Sequence, residues 1–63
     1  MQVRIYDIDE KGNETPRGKS DLRECFPDDN NEFGHAFAYL RQFGRYYAGG
    51  GAAPFVLLIN TDR

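Results

Sequence analysis

The chain has 63 residues, 40% apolar and 14% aromatic, with one cysteine, one histidine, one serine and a net charge of −2. A body of this size buries only about 60% of the surface its unfolded chain exposes, so it has little interior for a catalytic pocket and ample surface for a partner. The aromatic content excludes a disordered tail, the lone Cys25 excludes an internal disulfide, and one histidine with one cysteine falls short of a zinc-type ligand set.

Residues 2–8, Gln-Val-Arg-Ile-Tyr-Asp-Ile, alternate, with Val3 and Ile5 on one face and Arg4 and Tyr6 on the other. This predicts a half-buried strand. Glu10-Lys11-Gly12-Asn13 is a polar turn. Residues 14–19 return as a short strand, which Pro16 confines to a sheet edge. Ser20 reads as the N-cap of a short helix through Asp21-Leu22-Arg23-Glu24-Cys25-Phe26, stopped by Pro27. Asp28-Asp29-Asn30-Asn31 is a second capping cluster, and the main helix spans about residues 30–43. There Phe33, Ala36, Phe37, Leu40 and Phe43 form one apolar stripe, while His35, Ala38, Arg41 and Gln42 lie off it. Gly44 follows as the C-terminal cap.

Arg45-Tyr46-Tyr47-Ala48 reads as a strand and Gly49-Gly50-Gly51-Ala52-Ala53 as a loop. Pro54 opens a last strand, Phe55 to Asn60. Both faces of that strand are apolar, which suits a central position or cover by another subunit. The expected fold class is α+β: a three- to four-stranded antiparallel sheet with one main helix packed on one face, in the order β-β-α-α-β-β over residues 1–63. The second face is expected to turn Val56, Leu58 and Tyr6 to solvent, an apolar patch of the kind that marks interfaces.

No motif names a reaction. Asp7, Asp9 and Gly12 match the first, third and sixth positions of a calcium loop, but Lys11 stands where an oxygen ligand is needed and Gly18 where a closing acid is needed. The triple glycine lacks the following helix and lysine of a phosphate cradle. Cys25 ends a helix, where the dipole disfavours a thiolate, and His35 lies on the polar side of its own helix. No enzyme activity and no cofactor are expected. The longest apolar run, residues 55–59, is too short to span a bilayer, and no signal peptide is expected. The single cysteine points to a reducing, cytoplasmic setting, or to a dimer that adds core by association; a monomer or a homodimer is expected.

The charge is unevenly distributed. Residues 1–32 hold nine acids against five bases, and residues 33–63 hold one acid against three arginines. Two partner-binding surfaces follow. One is acidic, built from Asp7, Asp9, Glu10, Asp28, Asp29 and Glu32, and would form one negative field if the first hairpin and the helix N-terminus lie side by side. The other is cationic and aromatic, built from Arg41, Arg45, Tyr46 and Tyr47, residue types that dominate binding hot spots.

The short α+β body, the single Cys25 and the acidic groups Asp7-Ile8-Asp9-Glu10 and Asp28-Asp29-Asn30-Asn31-Glu32 resemble small inhibitors made by phages and mobile elements, anti-CRISPR proteins in particular. The resemblance implies a non-enzymatic inhibitor that binds a subunit of a CRISPR effector complex and blocks its access to DNA. The partner is then a protein; the acidic first half and the net charge of −2 argue against direct nucleic-acid contact, and no membrane partner is expected. The alternative is a small nucleic-acid-binding or regulatory module, monomeric or dimeric, that uses Arg41 and Arg45.

Overall fold

The computed structural model describes residues 1–49 and 55–62. Of the loop expected at 49–53, residues 50–53 lie outside the described residues, as does Pro54. Strands β1 (Gln2–Ile8) and β2 (Glu14–Asp21) form a hairpin. The short helix α1 (Leu22–Cys25) and the main helix α2 (Asn30–Phe43) follow, then β3 (Arg45–Ala48) and β4 (Val56–Asn60). The sheet is antiparallel throughout, in the order β2-β1-β4-β3. The expected class, element order and helix packing are what the structure has, with four strands.

Local chemistry explains each boundary. The Asp9 carboxylate accepts from the amides of Lys11 and Asn13 and from the Asn13 side chain, which closes the β1–β2 turn. Gly12 supplies that turn's positive φ of 85°. The α1 N-cap is Asp21 rather than Ser20, because β2 runs two residues further than expected, through Asp21. Asp21 accepts from the Arg23 amide, and Ser20 instead donates to Glu24 at 2.7 Å. Asp29 caps α2 by accepting from the Glu32 amide. Gly44 ends α2 at φ 83°, donating to the Leu40 carbonyl.

The core lies between the helices and one face of the sheet. Val3, Leu22, Ala36, Leu40, Ala48 and Leu58 are buried there, with Ile5, Phe26, Phe33, Phe37, Tyr46 and Val56 packed around them. The expected helix stripe holds for its first four members. Phe43 departs: it is 54% exposed, because it ends the helix just before Gly44 turns the chain away, and it packs on Tyr39 at 4.6 Å between ring centroids.

The sheet face assigned to solvent also needs correction. Register pairs Ile5 with Leu58 and Leu58 with Tyr46, and pairs Asp7 with Val56. Directly opposed residues share a face, so Val56 and Leu58 point to the helices with Val3 and Ile5. Tyr6 does point away, opposite Leu57.

Candidate functional site

The face away from the helices is built by the same register. Arg4 stands between Lys19 on β2 and Ile59 on β4, and Ile59 is opposite Arg45 on β3. In the next row Pro16, Tyr6, Leu57 and Tyr47 run across all four strands. Arg4, Lys19, Arg45 and Tyr47 are exposed and Tyr6 is half-buried. A row of cations therefore lies beside a row with a tyrosine on each side of Leu57. A hollow of about 190 Å³ opens here, lined by Arg4, Tyr6, Pro16, Gly18 and Lys19. The carboxylates of this face, Glu14 and Asp21, sit at the two ends of β2, and Asp21 is engaged with the Arg23 amide and, at 3.5 Å, with the N-terminal ammonium.

The cationic and aromatic group expected around the helix end is divided. Arg45 and Tyr47 belong to the open sheet face. Tyr46 points the other way, where its hydroxyl donates to Glu32 at 3.4 Å. Burial, reinforced by the Glu32 charge, pushes the Tyr46 phenol above its ordinary value. Arg41 is on α2, with its guanidinium 5.8 Å from the Phe37 ring centroid.

The acidic residues are divided as well, and several are used locally. Asp7 forms a salt bridge with Arg17. Asp9 closes its turn, and hydrogen bonds from Asn13 hold its carboxyl below the usual value. Asp29 is a helix cap, while Glu10 and Asp28 are exposed. Arg17 lines the same groove as Glu24 and Glu32, a space of about 610 Å³ floored by Ile5, Val56 and Leu58. A cation thus stands in the negative region expected between the hairpin and α2.

Cys25 borders that groove. Burial first, then the Glu24 and Asp21 charges, push its thiol up, away from the reactive thiolate. His35 has different neighbours, Tyr39 at 6.5 Å and Tyr46 at 6.0 Å between ring centroids. No group of three or more metal-binding side chains occurs among the described residues. No described helix is long and apolar enough to cross a membrane.

Sequence reasoning missed Arg4 and Lys19 as surface partners of Tyr47, the buried Leu57 (4% exposed) between the two tyrosines, and Tyr39 altogether. Alternation places Arg4 and Tyr6 together. Adding Lys19, Arg45 and Tyr47 requires the strand order, which local periodicity does not carry. No family model, curated protein or solved structure matches this chain.

Proposed function

We propose that this protein is a non-enzymatic binding module that takes single-stranded nucleic acid on its open sheet face. The observation that carries the reading is the juxtaposition of Arg4, Lys19 and Arg45 with Tyr6 and Tyr47 on one face. Tyrosine rings offer bases a stacking platform worth about 1–3 kcal/mol per base, and the cations sit where they can meet phosphates. The expectation of no direct nucleic-acid contact rested on the summed charge. Binding responds to the local field, and this face is more basic than the whole.

The test is fluorescence polarisation with labelled single-stranded DNA and RNA oligonucleotides at low salt. Three phosphate contacts give a slope of log affinity on log salt of about −2. Arg45→Ala and Tyr47→Ala should each weaken binding, whereas Arg41→Ala, on α2, should not. Absence of binding at low salt, or equal losses in Arg41→Ala and Arg45→Ala, overturns the reading.

A second reading is the inhibitor of a CRISPR effector complex that the sequence resemblance implies. It is supported by Glu10 and Asp28, which are exposed and make no ion pair among the described residues. In a gel-shift assay of such a complex on its DNA, the protein should reduce DNA binding, and Glu10→Lys/Asp28→Lys should restore it. An unchanged shift removes this reading.

A further inference from the structure

The two edges of the sheet are built differently, and the difference points to a second copy of this chain. β2 carries recognised obstacles to strand addition. Pro16 has no amide hydrogen, the register with β1 slips between Ile5 and Tyr6, and the strand presents Arg17 and Lys19. Proline, bulges and lysine are how sheets keep an edge from pairing. β3, Arg-Tyr-Tyr-Ala, has no proline and an unbroken register with β4, and among the described residues no strand pairs with its outer side.

The hydrogen-bond phase of β3 is fixed at its start. The Asn60 amide donates to the Gly44 carbonyl at 2.9 Å, and Gly44 directly precedes the Arg45–Ile59 pair. Backbone groups alternate in direction along an antiparallel strand. Tyr46 and Ala48 therefore turn their amides and carbonyls inward to β4, and Arg45 and Tyr47 turn theirs outward. This outward set is self-complementary. If β3 of a second copy lies antiparallel about a two-fold axis at Tyr46, each Arg45 faces a Tyr47 and both residues exchange backbone hydrogen bonds.

The side chains near this edge agree. On the open face, each Arg45 would lie beside the other copy's Tyr47, a cation–aromatic cross-strand pair. On the helix face, Tyr39 packs on Tyr46 at 5.7 Å and on Phe43 at 4.6 Å between centroids. Tyr39 and Phe43 are nevertheless 44% and 54% exposed, and Tyr47 is 51% exposed. Half-exposed aromatics beside a strand edge that no described strand covers suit burial by a symmetric partner.

We infer that the chain forms a homodimer by antiparallel pairing of β3 with β3, flanked by Tyr39, Phe43 and Tyr47 from both copies. Directly opposed residues share a face, so both helix layers lie on one side and the two open faces join into one surface. The pairing engages Arg45 and Tyr47, two residues of the proposed nucleic-acid face, so it is tested in the absence of nucleic acid.

The experiment is sedimentation equilibrium of the full chain without nucleic acid over a wide concentration range. The expected result is a species of twice the 7.2 kDa chain mass that dissociates on dilution. Tyr47→Pro removes an outward amide and leaves the inward ladder to β4 intact. Phe43→Lys places like charges near the two-fold axis at an exposed position. With circular dichroism confirming the fold, each should raise the dissociation constant about tenfold or more. A single 7.2 kDa species at every concentration overturns the inference. So does a dimer that both folded variants leave unchanged.

Discussion

The side-chain amide of Asn60 donates to the backbone carbonyl of Leu40 at 3.3 Å. Leu40 lies in the last turn of α2, and its carbonyl also receives the Gly44 amide. Asn60 in turn accepts from the amide of Asp62 through its side-chain oxygen. One polar residue at the end of β4, one of the two central strands, thus holds the helix terminus and the outgoing chain together.

Asn60→Ala is therefore expected to lower stability by about 0.5–1.5 kcal/mol, the net worth of a typical internal hydrogen bond. Urea denaturation monitored by circular dichroism reads the loss directly. A midpoint equal to that of the parent protein would mean that water replaces the amide at no cost.

Two large apolar side chains should behave oppositely on truncation. Leu58 is 1% exposed beneath the helices, whereas Phe43 is more than half exposed. Leu58→Ala should cost about 2–5 kcal/mol through lost burial and a residual cavity. Phe43→Ala should cost about 1 kcal/mol or less, its contact with Tyr39 being the main loss. Reversal of that order in thermal melts of the monomer would contradict the placement of the core.

Acid should destabilise the fold through two aspartates, the exposed Asp9 and the half-buried Asp21. Hydrogen bonds from Asn13 lower Asp9, and the Arg23 amide, helped by the N-terminal ammonium, lowers Asp21, both below the ordinary value of 3.8. A carboxyl lowered in the folded state contributes stability above its unfolded value, and that contribution is lost as pH falls through the folded value. The urea midpoint should accordingly drop below pH 3.8. Asp9→Asn/Asp21→Asn keeps acceptors at both turns and should flatten the drop. An equally steep drop in the double variant would place the acid sensitivity elsewhere.

The elements were legible because each is punctuated locally. Gly12 and Asn13 mark the turn, Asp29 and Gly44 bracket α2, and Pro16 marks an edge strand. The α1 cap was misplaced by one residue, since Ser20 and Asp21 are both good caps and only the length of β2 decides between them. The facing of Val56 and Leu58 was misread because β4 is apolar on both sides, so its own pattern has no preferred direction. Pairing with Ile5 and Tyr46 supplies the direction. The candidate surface was half visible for the same reason: Arg45 and Tyr47 are near neighbours in sequence, whereas Arg4 and Lys19 join them only through cross-strand register.

For the inferred β3–β3 dimer, the obstruction of β2 would limit how many copies can assemble. A sheet with two open edges has two valences and adds copies without end, as fibrils do. In the β3–β3 pair, both outer edges would be β2, where Pro16 and the register slip oppose a further strand, so growth by strand addition would stop at two copies.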